Sequence, residues 1–272
     1  MDANDKDAHK IFDEYNCKGV PHLLFVDNKG NEVDRIIGYL PPSEYLARIQ
    51  DIRNNKHTLD DYLTQYENGK SNAELIAGIA LKYEDRGDSD NAKVFYSILI
   101  KNYPNSTSEY YQRGTYYLAS DAFNNGIKMA LNTYIASFPD SPFIAEAYYT
   151  MAYYYANKEM KEDELKVYAQ MLSHFPDNIR ILNSYAWRMA EIEINLEDAL
   201  VKAKRAVELS ADDPNSQANI IDTEAEVLWK LKRFDEAINA IEKSIVIDGE
   251  NQYFKDQKEK FVQSKKDASQ PV

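Results

Sequence analysis

Few residues in this 272-residue chain have the types and spacing that catalysis requires. The single cysteine, Cys17, excludes an internal disulfide, a multi-cysteine zinc site and a CxxC redox pair within this sequence. Cys17 lies in a segment with regularly spaced apolar residues, where a small buried residue is more common than a reactive thiol. The four histidines share no ligand spacing with one another or with Cys17; they are His9, His22, His57 and His174. The sequence therefore predicts no metal and no cofactor.

Two short motifs imitate ion-binding loops only in part. The Gly-Lys-Ser run at 69–71 matches the end of a phosphate-binding loop, but Thr64 stands where that loop needs its first glycine. The acidic group Asp85, Asp88 and Asp90 lacks the glycine and the closing glutamate of a calcium loop, and is typical of a solvated helix turn. No nucleophile elbow or dinucleotide fingerprint occurs. The sequence predicts that the chain is not an enzyme.

The composition limits the kinds of partner. The 45 acidic and 32 basic residues give a net charge of −13, which disfavours nucleic acid as a partner. No apolar run approaches the roughly 20 residues of a membrane span, so no membrane insertion is expected. The first residues lack a basic-then-apolar signal, so the chain as written starts out in the cytoplasm. Nine Gly, nine Pro and 21 Tyr indicate long regular elements with aromatic packing.

The elements that must carry any site form an internal repeat. Prolines at positions 104, 139, 176 and 214 each follow an apolar helical stretch, at intervals of 35, 37 and 38 residues. Within these stretches apolar residues fall at i, i+3 and i+4, which is the face of an amphipathic helix. About a dozen residues before each stop, an Asp- or Asn-bearing turn enters the helix, and another periodic stretch precedes that turn. The pattern predicts five copies of a helix, a turn and a helix.

These copies resemble the tetratricopeptide repeat family, whose unit is a helical hairpin of about 34 residues. The last copy carries the family's packing residues, namely Ala225, Leu228, Phe234, Ala237, Ile241 and Ser244. The first copy fits at Ala80, Tyr83, Gly87, Ala92, Tyr96 and Pro104, and the third at Ala152, Tyr155, Tyr168 and Pro176. Copies two and four match less well. The resemblance covers residues 73–251, and a polar helix beyond it is expected to cap the last hairpin.

The resemblance implies a groove lined by the first helix of every hairpin. The positions of this sequence that match the groove are Gln112, Tyr116, Tyr149, Tyr153, Asn157, Arg188 and Trp229, with Asp222 and Glu226 beside the last. Tyr, Trp and Arg supply large, stiff contact area, so a peptide or a partner protein is the expected ligand. The alternative is that these tyrosines only pack adjacent helices. A carboxylate clamp is not supported, because only Arg188 and Asn157 fit it.

The first fifty residues follow a different, extended period. Residues 22–26 and 32–39 predict a β-hairpin around a glycine-bearing turn, with a helix before it and another after it. This order, with Val20 and Pro21 entering the first strand, resembles the C-terminal half of a thioredoxin fold. The resemblance implies that Pro21 is cis and that the backbone of Val20 pairs with extended substrate. The half that bears the catalytic CxxC has no counterpart in this chain.

The isolated hairpin is expected to need a cover, because a two-stranded sheet is marginal in water and its first strand has an apolar edge. Candidates are an upstream segment, a second copy of the chain, or the first helices of the repeats, and the upstream segment is favoured. The predicted division is 1–53 for the partial thioredoxin-like unit, 54–72 for a linker with a short helix, 73–251 for five repeats, and 252–272 for a capping helix and tail.

The sequence thus predicts a mainly α chain, a five-hairpin α-solenoid preceded by a partial α/β thioredoxin-like unit. The first functional hypothesis is a protein-interaction module or scaffold. The alternative is the C-terminal portion of a thiol–disulfide oxidoreductase whose CxxC lies upstream. Such combinations resemble exported bacterial proteins, so an upstream signal peptide would place the product in the cell envelope or periplasm. The partner, compartment and oligomeric state stay open.

Overall fold

The chain divides into two compact units. The structure is a computed structural model that describes residues 6–17 and 19–269. Residues 1–5, where the predicted first unit begins, and residues 270–272, where the predicted tail ends, lie outside the described residues. The units are Met1–Thr150 and Met151–Val272, and each has a hydrophobic cluster of its own.

The first unit contains a small sheet and a series of helices. Its strands are β1 (His22–Val26) and β2 (Glu32–Ile37). Its helices are α1 (Lys6–Glu14), α2 (Pro42–Arg53), α3 (Leu59–Glu67), α4 (Ala73–Asp85), α5 (Ser89–Asn102), α6 (Glu109–Asn124) and α7 (Ala130–Ser137). The next helix, α8 (Ile144–Asn157), contains the boundary between the units.

The second unit is helical throughout its described residues. Beyond α8 its helices are α9 (Lys161–His174), α10 (Ile179–Ile192), α11 (Leu196–Leu209), α12 (Pro214–Lys230), α13 (Phe234–Ile247) and α14 (Gln252–Ala268). The five predicted hairpins correspond to the consecutive pairs that begin at α4, α6, α8, α10 and α12. The prediction of a mainly α chain of helical hairpins behind a small α/β segment is confirmed.

The helix ends follow from the caps and prolines of the sequence. Asn72, Asp88 and Asn178 each accept a hydrogen bond from a backbone N–H in the first turn of the helix that follows. Helices α5, α7 and α9 each end two residues before a proline, which cannot continue a helix. Pro214 instead opens α12, where its missing N–H costs nothing.

The sheet is an antiparallel hairpin whose register places Leu23 opposite Ile36. Among the described residues β1 pairs with β2 alone. The predicted pairing of the other edge of β1 with an upstream segment or a second chain therefore stays a prediction. The third cover that the sequence suggests, the first helices of the repeats, does contact the hairpin. Helix α4, the first of the repeats, bonds to β2 through Lys82, and α3 of the predicted linker also packs near β2.

A buried carboxylate joins the hairpin to the first repeat. Asp34 of β2 is fully buried and accepts hydrogen bonds from Lys82 Nζ of α4, at 2.7 and 2.9 Å. Arg48 of α2 donates to the same carboxylate, and the backbone N–H of Arg35 donates to it at 2.9 Å. Burial lowers the pKa of Lys82, and the charge of Asp34 opposes that effect. Charged side chains of α2 and α4 thus both contact one buried carboxylate of β2.

A second set of contacts supports the same junction. The Arg35 side chain, which is almost completely buried, donates to the backbone oxygens of Asp85 at 2.7 Å and Tyr15 at 2.8 Å. Arg86 donates to the backbone oxygen of Val33 at 3.1 Å and pairs with Glu32. These bonds satisfy backbone carbonyls at the end of α4 and in β2. The hairpin and the first repeat are therefore joined by polar contacts as well as by packing.

Candidate partner-binding surface

In the first unit, two of the predicted groove residues are held by neighbouring side chains and backbone. Gln112 Nε2 donates to the backbone oxygen of Ser106 at 2.8 Å. The ring of Tyr116 stacks on Phe143 with 5.9 Å between centroids, and its hydroxyl lies 3.1 Å from Thr150 Oγ1. Burial raises the pKa of Tyr116. A third predicted residue, Tyr149, is half-buried. On these helices the tyrosine rings contribute to packing between neighbours.

In the second unit, Tyr153 and Asn157 of α8 are open to solvent. Tyr153 is 72% exposed, and Asn157 is also exposed. They are four residues apart, so they share one face of the helix. Within the described residues neither side chain has a hydrogen-bond or ring partner. The exposed ring of Tyr153 and the Asn157 amide beside it are therefore open to contact with a ligand.

Arg188 is already paired with carboxylates inside the second unit. Its Nε and Nη2 donate to the two oxygens of Glu164 at 2.6 and 3.1 Å, and its Nη1 donates to Glu191 at 3.2 Å. Glu164 lies on α9 and is 1% exposed. The hydrogen bond to Glu164 is the largest cause of the raised pKa of Arg188. The guanidinium therefore neutralises a buried carboxylate, which limits its capacity to bind an acidic ligand.

Trp229 contacts α14. Its indole Nε1 donates to Ser264 Oγ at 2.9 Å, and the Lys260 ammonium lies 4.0 Å from the ring centroid. At this distance the ammonium makes a cation–π contact. The ring also lies 6.0 Å from that of Phe261. The last predicted groove residue is therefore partly covered by the C-terminal helix of the same chain.

The carboxylates beside Trp229 are also buried under α14. Asp222 and Glu226 are 5% and 8% exposed. Tyr253 donates to Asp222 Oδ2 at 3.2 Å, and Lys260 Nζ donates to Glu226 at 2.6 Å. Asp222 Oδ1 has no hydrogen-bond partner in the described part of the chain. Burial raises the pKa of Asp222 to about 6, with Glu226 adding to the effect and Lys260 opposing it.

Sequence reasoning assigned α14 to the end of the array but missed this contact with the groove positions of α12. The polar residues involved, Tyr253, Gln257, Lys260 and Ser264, fall at i, i+4, i+7 and i+11, so they share one face of the helix. That spacing was the available signal. The predicted capping helix thus carries a polar contact surface in addition to its buried phenylalanines.

The residues predicted as a substrate edge lie at the start of β1. The peptide bond between Val20 and Pro21 is cis, and the Val20 side chain is 81% exposed. The backbone oxygen of Pro21 accepts from Gly38 N at 2.9 Å. Cys17 is half-buried, and burial raises the pKa of its thiol while Arg35 opposes that effect. A raised pKa leaves less thiolate at neutral pH, which disfavours nucleophilic chemistry.

The described residues hold neither a metal-type cluster nor a membrane-spanning helix. No group of three or more His, Cys, Asp or Glu side chains there has an arrangement that would hold a metal ion. None of the helices in that part of the chain has the length and apolar character needed to cross a bilayer.

The paired helices define a helical repeat protein, and a small α/β segment with a different fold precedes them. Residues 73–106 match the family model described as tetratricopeptide repeat. Residues 2–53 match the model described as thioredoxin-like domain. The chain thus carries a tetratricopeptide repeat behind a thioredoxin-like segment, as the sequence predicts. No curated protein sequence matches it.

Several solved structures are similar to this chain. One is YrrB, described as a TPR protein with an unusual peptide-binding site, at 14% identity, covering 73% of this chain and 97% of that chain with a TM-score of 0.49. The Cut9–Hcn1 hetero-tetramer of APC/C has 13% identity, coverage of 75% and 39%, and a TM-score of 0.47. TTC0263, a thermophilic TPR protein from Thermus thermophilus, has 18% identity, coverage of 71% and 98%, and a TM-score of 0.39. The tetratricopeptide repeat supports a protein-interaction or scaffold role.

Proposed function

We propose that the chain is a protein-interaction module that binds a peptide segment of a partner through the face of α8 that carries Tyr153 and Asn157. The observation that carries this proposal is the 72% exposure of Tyr153, the most exposed aromatic side chain that the structure describes between residues 73 and 251. An exposed tyrosine offers a large, stiff contact area at low cost in conformational entropy. The neighbouring Asn157 amide has one acceptor and two donor hydrogens for a peptide backbone.

Four of the other predicted groove residues already have partners within the chain, which narrows the proposed contact to Tyr153 and Asn157. Arg188 is neutralised by Glu164, so the ligand does not depend on an acidic chain terminus. Gln112 and Tyr116 are engaged within the first unit, and Trp229 faces α14. We therefore propose an uncharged, tyrosine-centred contact with an extended or helical peptide.

Site-specific photo-crosslinking in the source cells tests the proposal. A photoreactive phenylalanine analogue replaces Tyr153 in one variant and Val201 of α11, which is 60% exposed in the same unit, in the control. We expect a discrete protein adduct from position 153 that is absent from position 201. In the chain without the analogue, Tyr153→Ala should then reduce co-purification of the partner found in that adduct at least tenfold. This is the loss expected when binding weakens by about 1.4 kcal/mol or more. Identical adducts from both positions, or none from 153, would reject the surface.

A second candidate rests on the thioredoxin-like match at 2–53. On this reading the chain is the C-terminal portion of a thiol–disulfide oxidoreductase, and Val20 and Pro21 line the substrate edge. Cys17 is the single thiol of the sequence, so the reaction would require a CxxC pair from elsewhere in the product. Intact mass and thiol counting of the native protein decide between the candidates: a larger mass with at least two further thiols favours the oxidoreductase, and one thiol per chain rejects it.

A further inference from the structure

Helix α14 packs on the preceding hairpin in the register of a repeat. Its buried residues are Phe254, Gln257 and Phe261. The positions 34 residues earlier are Ile220, Thr223 and Val227 of α12, and these are also buried. Both helices therefore use the same face to contact the elements that precede them. Helix α14 occupies the place of a first helix in a further hairpin.

The face of α14 next to its buried face corresponds in sequence to a face of α12 that is buried in the structure. In α12 the residues Ile221, Ala225 and Leu228 are at most 4% exposed, and α13 packs against this helix. The positions 34 residues later are Lys255, Glu259 and Val262. In the part of the chain that the structure describes, α12 is followed by a second helix and α14 is not. Within the described residues this face of α14 is left open.

This open surface forms a cleft of about 610 Å³, which we call the terminal cleft. Its lining includes Ile245 of α13 and, on α14, Lys255, Lys258, Glu259, Val262 and Lys266. Ile245 and Val262 are half-buried and supply a narrow apolar strip. A helix that presents short apolar side chains, such as Ala or Val, fits a strip of this kind between two helices.

The charge of the terminal cleft is opposite to that of the chain. Three lysines and one glutamate line it, whereas the whole chain has a net charge of −13. Lys258 pairs with Glu242 at 2.8 Å. Lys255 and Lys266 have no carboxylate partner among the described residues. Two ammonium groups at the two ends of an apolar strip are therefore available to acidic side chains.

We propose that the terminal cleft docks an acidic amphipathic helix of a partner protein, which takes the place of a second helix beside α14. Lys255 and Lys266 are eleven residues apart, which corresponds to about 16 Å along the helix axis. The partner helix therefore carries Asp or Glu residues about three turns apart, with Ala or Val on the face between them. The same face of a second copy is a poor partner, because it would place lysines against lysines.

A synthetic peptide tests this surface on the full chain. The probe is a fluorescein-labelled 16-residue helical peptide with Ala and Val on one stripe and Glu on the other positions, and its binding is followed by fluorescence anisotropy. A scrambled peptide of the same composition is the control for charge alone. We expect saturable binding of the patterned peptide, and at least tenfold weaker binding of the scrambled one.

Two variants separate the cleft from general electrostatic attraction. Lys255→Glu with Lys266→Glu should weaken binding at least tenfold, whereas Lys161→Glu at the exposed start of α9 should leave it unchanged. Val262→Arg adds a positive charge and blocks the apolar strip, so docking predicts at least a tenfold loss where simple attraction predicts a gain. Thermal melts confirm that the variants fold. Absence of saturable binding, equal binding of both peptides, or tighter binding by Val262→Arg would overturn the proposal. Tyr153 lies outside this cleft, so its substitution tests the other surface independently.

Discussion

Replacement of Asp34 is the most direct test of how the thioredoxin-like segment is attached to the repeats. In Asp34→Ala, Lys82 and Arg48 keep their positive charges in a buried site but lose the carboxylate that both contact. Lys82 is 13% exposed as a side chain and Arg48 is 19% exposed, so water screens them poorly. Removing one partner of such a buried pair costs about 3–5 kcal/mol, because the remaining charges are left unpaired.

Urea denaturation followed by circular dichroism measures the expected loss as a free energy of unfolding. In thermal denaturation, for a unit of about 150 residues, the same 3–5 kcal/mol corresponds to a fall in Tm of about 6–20 °C. The control is Asp90→Ala, whose carboxylate is 96% exposed and pairs with Lys93 at 3.7 Å. That substitution should change the free energy of unfolding by less than about 0.5 kcal/mol. Equal, small effects of Asp34→Ala and Asp90→Ala would refute the assignment of a stabilising role to the buried carboxylate.

The pH dependence of the variant gives a second readout. Burial lowers the pKa of Lys82 in the folded chain, and the loss of Asp34 removes a charge that opposes this effect. A lysine whose folded pKa lies below its unfolded value binds fewer protons in the folded state. Stability then rises with pH until the folded and unfolded lysine are both neutral. The deficit of Asp34→Ala is therefore expected to shrink as the pH is raised from 7 towards 10.

Two further substitutions test buried carboxylates of the second unit. Burial raises the pKa of Asp222 to about 6 from an ordinary value of 3.8, so its ionised form costs about 3 kcal/mol at pH 7. Since that cost disappears below the unfolded pKa, Asp222→Asn should stabilise the protein by up to about 3 kcal/mol at pH 7 and have no such effect at pH 3. Asp235→Asn, at an exposed site, is the control, and an equal gain in both variants would contradict the account. Glu164→Ala should lower the free energy of unfolding in urea by about 2 kcal/mol, because it removes two charged hydrogen bonds from Arg188. The control Glu191→Ala should lower it by less than about 0.5 kcal/mol. Equal losses in the two variants would show that the burial of Glu164 is unimportant.

The periodic elements were predictable because their signals are local. Apolar residues at helical spacing and helix-stopping prolines predicted the hairpins, and the extended period at 22–26 predicted β1. Helix α7 shows where local signals fail. A helix is expected soon after Asn125, but α7 begins at Ala130, and Gly126 between them has a φ of +106°, which is not helical. The helix therefore begins several residues later than the local signals indicate.

The burial and hydrogen-bond partners of the site residues were less predictable, because they depend on residues that are far away in the sequence. Asp34 lies between Val33 and Arg35 in β2, and a carboxylate is rarely buried, yet Lys82, 48 residues away, pairs with it in the interior. Trp229 matches a groove position, but Ser264, 35 residues away, accepts its indole hydrogen bond. The family resemblance predicted a groove position for both Tyr153 and Trp229. It did not show that the first is open and the second covered.

The cover over Trp229 gives the protein an optical reporter of its C-terminal helix. The chain has two tryptophans, and Trp187 lies on α10, where its indole donates to Glu191 in the same helix. Trp229 instead depends on α14 for its hydrogen-bond partner and for Lys260, the nearer of the two ammonium groups over its ring. Separation of α14 would transfer that indole to water and change its emission, while Trp187 would keep its local partner. Unlabelled protein can therefore show by fluorescence when its last helix moves.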